Sequence, residues 1–177
     1  IADGPATKLG ELALGKNVKS AAEALSTFSA QKGRGQLSHV DIGGGRVTII
    51  DETYNASPVA MRAALSNLGD IVTGGRKIAI LGDMLELGEK SVQMHESLST
   101  DILHNNVDLV FTVGANSKHL FELLPQKIRG YAANDVAELL PELTNKIHAG
   151  DAVLIKASNG TGLSRVVDEL CHSKELA

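Results

Sequence analysis

Ile49-Ile50-Asp51-Glu52-Thr53-Tyr54-Asn55-Ala56-Ser57-Pro58 decides the fold of this chain. An apolar run ends in two acids, passes through a compact Tyr-Asn turn, and reaches a proline suited to the first position of a helix. A strand that runs into a helix in this way presents polar groups at the carboxyl edge of a sheet, where open α/β folds bind ligands.

Outward from this junction the chain alternates. Upstream, Gln36–Ile42 and Arg46–Asp51 read as two strands joined by a loose turn at Gly43-Gly44-Gly45. Downstream, Ser57 caps a helix that opens at Pro58 and is expected to stop at Gly69, with Met61, Leu65 and Leu68 on one stripe. Lys77–Leu81 is a buried strand, and a helix over about 89–104 is expected to bury Val92, Leu98, Ile102 and Leu103. Asp108–Val113 is a strand, followed by a short helix over Ser117–Leu124, a strand over Ile128–Tyr131 and a helical pattern over Asp135–His148. Pro141 should kink or restart that pattern. Strand Ala152–Lys156 and a helix over Gly162–Leu170 complete the series. Apolar strands alternating with helices predict an α/β fold, a doubly wound, mostly parallel, Rossmann-like sheet. The first hairpin adds an antiparallel edge strand.

Residues 1–33 stand apart. Lys8–Phe28 has helical spacing rich in Ala and Leu, and Gln31-Lys32-Gly33-Arg34-Gly35 is a polar, glycine-flanked linker. Two units are expected: a helical tail of a neighbouring domain over 1–33, and the α/β domain over 34–177. The chain opens on Ile1 with no signal peptide, which reads as a piece cut from a longer protein.

Composition narrows the function classes. Hydrophobic residues make up 43% but aromatics only 3%, with no Trp, so the core is built from Leu, Ile, Val and Ala. A net charge of −4 gives no electrostatic footprint for nucleic acid. No apolar run approaches the roughly 18 residues that a membrane span needs. The single cysteine, Cys171, cannot close an internal disulfide, which fits a reducing compartment, and reads as an inert helix-face thiol. The six histidines lack metal-ligand spacing and read as surface or helix-end residues, so no structural metal is expected.

Four segments invite a functional reading. Gly10-Glu11-Leu12-Ala13-Leu14-Gly15-Lys16-Asn17 approaches a phosphate-binding P-loop but is a decoy. Asn17 replaces the Mg²⁺-holding hydroxyl, and no strand precedes the helical filler between the glycines. Asp51–Pro58 offers acids for ribose hydroxyls and helix N–H groups for an anion, or is simply a capped turn. Leu81-Gly82-Asp83-Met84-Leu85-Glu86-Leu87-Gly88 either walls a pocket with Asp83 facing an ammonium group, or is a βα loop with Leu85 and Leu87 packed inward. Val153–Gly162 places Lys156 at the sheet edge, where it meets a phosphate or carboxylate or is only solvated. Gly160-Thr161-Gly162 lacks the rest of a dinucleotide fingerprint, and Arg34 is a hinge residue or a phosphate and ribose contact.

Taken together, these segments resemble the C-terminal domain of a Mur ligase of the MurF type. Asp51–Pro58 matches the family's Asp-(Asp/Glu)-x-Tyr-Asn-Ala-Asn-Pro motif, Leu81–Gly88 its Leu-Gly-Asp-Met-x-Glu-Leu-Gly motif, and Val153–Ser158 its Val-Leu-(Val/Ile)-Lys-Gly-Ser motif. Gly33-Arg34-Gly35 looks like the segment that joins the family's central ATPase domain to its C-terminal domain. Ser57, Ala157 and Asn159 depart from the usual Asn, Gly and Arg; Ser caps as well as Asn.

The resemblance implies an ATP- and Mg²⁺-dependent ligase that joins D-Ala-D-Ala to UDP-MurNAc-tripeptide through an acyl phosphate. It also implies a monomer in the bacterial cytoplasm, with most Mg²⁺ ligands outside this chain. It puts Arg34, Asp51, Tyr54 and Asn55 at the nucleotide, and Asp83, Met84, Leu87, Lys156 and Ser158 at the substrate. Asp83 and Lys156 then lie nearest the reaction centre, and no residue of the chain is assigned the chemistry itself. Without a credible P-loop the chain should not hydrolyse ATP alone. The alternative from another class is a stand-alone nucleotide- or anion-binding sensor module.

Overall fold

The computed structural model describes residues 31–143 and 145–172; the helical spacing expected over Lys8–Phe28 and the P-loop decoy lie outside the described residues. Six strands, β1 (Gln36–Ile42), β2 (Gly45–Glu52), β3 (Lys77–Gly82), β4 (Leu109–Val113), β5 (Arg129–Ala133) and β6 (Ala152–Lys156), form one sheet in the order β1-β2-β6-β3-β4-β5. All neighbours are parallel except the edge pair β1–β2. The hairpin is tighter than expected. Ile42 pairs with Gly45, leaving only Gly43 and Gly44 in the turn, both at positive φ (48° and 84°), as a two-residue hairpin turn requires.

The helices are α1 (Pro58–Asp70), α2 (Ser91–Glu96), α3 (Leu98–His104), α4 (Ala115–Leu123), α5 (Val136–Leu143) and α6 (Ser164–His172). Alternation along the strands builds two cores. Ile78, Ile80, Val153 and Ile155 face α5 and α6, whereas Ala79, Leu81, Ala152 and Leu154 face α1, α3 and α4. The sheet is thus covered on both faces and doubly wound. β6 sends its helix to the opposite face from those that follow its neighbours β2 and β3. The chain therefore diverges at the carboxyl end of β6, the geometry that opens a ligand crevice.

Three helices differ from their sequence expectation. Residues 89–104 do not form one helix: a 3₁₀ turn, Gly88–Lys90, leads into α2, and the chain breaks at Ser97 before α3. Ser97 Oγ donates to the Met94 carbonyl (2.8 Å) and Ser99 Oγ to the Glu96 carbonyl (2.7 Å), drawing acceptors from the helical ladder. Leu98 and Ile102 are buried as expected, but Val92 is only half-buried and Leu103 is exposed. Gly69 does not stop α1, which continues to Asp70; a Cβ there would sit 2.6 Å from Asn105 Oδ1, so the glycine serves close packing. The pattern over 135–148 gives a helix that reaches only Leu143 and carries Pro141 inside it.

At the amino edge, Asp151 fastens β6 to the start of β3. Its buried carboxylate accepts from Arg76 Nη2 (2.6 Å), Arg76 N (2.9 Å) and His148 N (2.9 Å). Burial alone would push this carboxyl up, yet these hydrogen bonds and the guanidinium charge together hold it below the usual carboxylate range.

Candidate functional site at the carboxyl edge

The registers bring the three motifs together. Lys156 of β6 is level with Glu52 of β2 on one side and Leu81 of β3 on the other. The loops after β2, β6 and β3 are therefore neighbours at one edge of the sheet, and two side chains of the central loop tie them together. Lys156 Nζ donates to Glu52 Oε2 (3.2 Å) and to the Asn55 carbonyl (3.0 Å), while Ser158 Oγ accepts from Leu85 N (3.0 Å).

The loop after β2 carries the most open surface. The Arg34 guanidinium stacks 3.9 Å over the Tyr54 ring, which is 50% exposed; Asn55 is exposed beside it. Asp51 lies behind this pair, 1% exposed. Its Oδ2 accepts from Gly33 N (2.8 Å), and its Oδ1 from Thr53 Oγ1 (2.7 Å) and Thr53 N (3.1 Å). The Gly33 carbonyl in turn accepts from Tyr54 N (3.0 Å). Gly33 must be glycine here: its φ is 79°, and a Cβ would lie 2.9 Å from that of Tyr54. Asp51 thus holds the linker turn that places Arg34 over Tyr54, and its oxygens are committed to that task.

Lys156 is likewise internal, 1% exposed, its charge answered by Glu52. Glu52, a quarter exposed at its side chain, is the member of this pair that reaches solvent. It was not singled out from the sequence, although its neighbour Asp51 was; the inward and outward alternation of the strand separates them.

Asp83, 9% exposed, caps the helix that follows the neighbouring strand β4. Its Oδ1 accepts from Ser117 N and Ser117 Oγ (both 2.7 Å), and its Oδ2 from Asn116 N (3.3 Å) and Asn116 Nδ2 (3.2 Å), at the start of α4. Gly114, the N-cap residue, has no side chain to offer, and any Cβ there would lie 2.5 Å from Asp83 Cγ. Met84, expected at the substrate, is fully buried. Leu85 is 45% exposed and Leu87 half-buried, so the loop does not pack both leucines inward. Ser158 is nearly buried, its Oγ accepting from Leu85 N.

His95 departs from the surface role given to the histidines. It is 1% exposed, with Nε2 2.9 Å from Met84 N and Nδ1 2.7 Å from the Ser91 carbonyl. Its spacing to Leu98 and Ile102 places it on their buried stripe, a pattern present in the sequence. Cys171 is half-buried, and burial pushes its thiol up, as befits an unreactive thiol. Among the described residues no three His, Cys, Asp or Glu side chains gather into a metal-binding group, and no helix is long and apolar enough to cross a membrane.

Comparison with known proteins agrees with this fold. The model of the Mur ligase glutamate ligase domain matches residues 33–159. The UDP-N-acetylmuramoyl-tripeptide–D-alanyl-D-alanine ligase of Rickettsia prowazekii is 39% identical over 155 residues, covering 88% of this chain and 33% of that enzyme. The Bacillus subtilis enzyme of the same name is 32% identical, with 88% and 34% covered. The chain thus spans about a third of the length of the curated relatives it matches. Among solved structures, MurF ligase from Thermotoga maritima in complex with ADP superposes with a TM-score of 0.75 at 28% identity, covering 96% of this chain and 36% of that one.

Proposed function

The chain belongs to the Mur ligase family, and from that premise we propose that it is the C-terminal domain of an ATP-dependent ligase that adds D-alanyl-D-alanine to UDP-N-acetylmuramoyl-tripeptide. The observation that carries this reading is the convergence of the three motif loops at one sheet edge, with Lys156 and Ser158 of the central loop tying the other two. On this reading residues 1–33 are the tail of the preceding ATPase domain. The enzyme is a cytoplasmic bacterial monomer, and the chain alone does not turn over ATP.

In the proposed reaction the tripeptide carboxylate takes the γ-phosphoryl group of ATP, releasing ADP. The dipeptide amine then attacks the acyl phosphate, forming the peptide bond and expelling phosphate. An acyl phosphate is lost to any water that reaches it, so the reaction depends on closure and on alignment of the amine. The residues of this chain serve those ends. Tyr54, with Arg34 on its ring and Asn55 beside it, offers a flat, partly exposed face for the nucleotide base and ribose. Asp51 holds that face in place from behind. Asp83, Lys156 and Ser158 fix the loops nearest the reaction centre, where Leu85 and Leu87 present apolar surface that excludes water. Mg²⁺, whose ligands we place mainly outside this chain, would neutralise phosphate charge when bound.

The test is phosphate release by the full-length protein. Release that requires both UDP-MurNAc-tripeptide and D-alanyl-D-alanine, with a pentapeptide product by mass, supports the assignment. ATP turnover indifferent to the dipeptide refutes it.

A further inference from the structure

We propose that His95 is a positioning residue for the amine acceptor, acting through the backbone of the loop after β3; the acceptor part rests on the ligase reading above. The partners of the ring fix its tautomer. The Ser91 carbonyl can only accept, so Nδ1 carries the proton (2.7 Å); the Met84 N–H can only donate, so Nε2 is the bare acceptor (2.9 Å). With Nε2 unprotonated, the approach of Asp83 Oδ1 at 3.8 Å is proximity and not an ion pair.

The loop is thereby pinned at three successive residues by three different elements. Asp83 is held by the start of α4, Met84 N by His95 of α2, and Leu85 N by Ser158 after β6. The residue that emerges from this frame is Leu85, 45% exposed, its Cδ1 2.9 Å from where a Cβ on Gly160 would lie. Packing alone would favour an aliphatic side chain at position 95, because the stripe of Leu98 and Ile102 is apolar and buried. A buried imidazole is tolerated there only because both nitrogens are satisfied. One of them is spent inside α2, and the other reaches out of the helix to the loop. That outward bond sets where Leu85 stands, in the loop that the family resemblance puts at the substrate and that we place beside the amine acceptor.

Two substitutions separate the two bonds. His95→Gln places an amide oxygen near the position of Nε2 and keeps an acceptor for Met84 N. His95→Asn places its amide near Nδ1 and keeps the bond to Ser91 but not that to Met84. In the full-length ligase we expect H95N to raise KM for D-alanyl-D-alanine about tenfold, the equivalent of one lost hydrogen bond, with kcat and KM for ATP within about threefold. H95Q should restore the acceptor KM to within about threefold of wild type. Equal effects of Asn and Gln, or a loss spread evenly over kcat and both KM values, would overturn the proposal.

Hydrogen exchange in the present chain gives a readout independent of turnover. The Met84 amide should lose protection in H95N and keep it in H95Q; unchanged protection in H95N refutes the pinning. A wild-type enzyme with no acceptor-dependent turnover would sink the ligase reading and the acceptor role together, while exchange at Met84 still decides whether His95 holds the loop.

Discussion

Replacing Asp51 by alanine should cost far more than a surface carboxylate ever does. The carboxylate is 1% exposed and accepts from Gly33 N, Thr53 N and Thr53 Oγ1. Alanine leaves these three donors without their acceptor, and each buried unsatisfied donor costs about 1–3 kcal/mol. Thr53 is 3% exposed and has little access to water, so its amide and hydroxyl carry most of the loss. The Gly33 amide belongs to the linker, which can lift away and hydrate, so its share is smaller. The sum is about 3 kcal/mol. With a urea m-value of about 2 kcal/mol/M for a domain of this size, the midpoint should fall by roughly 1.5 M. Asp51→Asn should cost less, since one oxygen remains for Thr53 while the amide nitrogen faces the Gly33 N–H. Urea unfolding followed by circular dichroism measures both. If D51A unfolds within about 0.5 kcal/mol of wild type, the carboxylate is not the latch described here.

The pair on the other side of the same loop should respond asymmetrically. Lys156→Met replaces a buried ammonium by an aliphatic chain and lets Glu52 hydrate, so it should cost no more than about 1 kcal/mol; Glu52→Ala strands the ammonium and should cost about 3 kcal/mol, again by urea unfolding. Asp151 predicts a pH dependence. Its carboxyl is held below the unfolded value, so its contribution is present above the unfolded pKa, about 3.9, and is lost as pH falls through the lower folded pKa. Wild type should therefore lose stability below about pH 4, and Asp151→Asn should be weaker at pH 7 but flatter across that acid range; parallel pH profiles would contradict it.

Much of the fold was legible because strand periodicity and punctuation agreed. The short continuous apolar runs of β3 and β6, Ser57-Pro58 at the start of α1 and the glycines between β1 and β2 each pointed to one local structure. What was not legible depends on side chains finding distant or competing partners. Ser97 and Ser99 break residues 89–104 through bonds that a hydropathy pattern does not record. Gly69 looked like a stop because its reason for being glycine, Asn105, is 36 positions away (105 − 69).

The candidate site divides in the same way. Its loops were placed at the carboxyl edge, since each follows a strand. The directions of Asp51, Asp83 and Lys156 were not foreseen, because a residue type alone does not say whether its charge faces a ligand or a neighbouring loop. His95 was passed over as a surface histidine, although its spacing to Leu98 and Ile102 was there to be read.

The most direct test of the central claim is amide chemical-shift mapping of the full-length protein, titrated with Mg-ADP and then with D-alanyl-D-alanine. Among the described residues, shifts should gather at Gly33–Gly35 and Tyr54–Asn55 with the nucleotide, and at Asp83–Gly88 and Lys156–Thr161 with the dipeptide. Shifts gathered instead at the amino edge of the sheet, around Gly43–Gly44, Gly74–Gly75 and His148–Gly150, or no shift at saturating ligand, would contradict it.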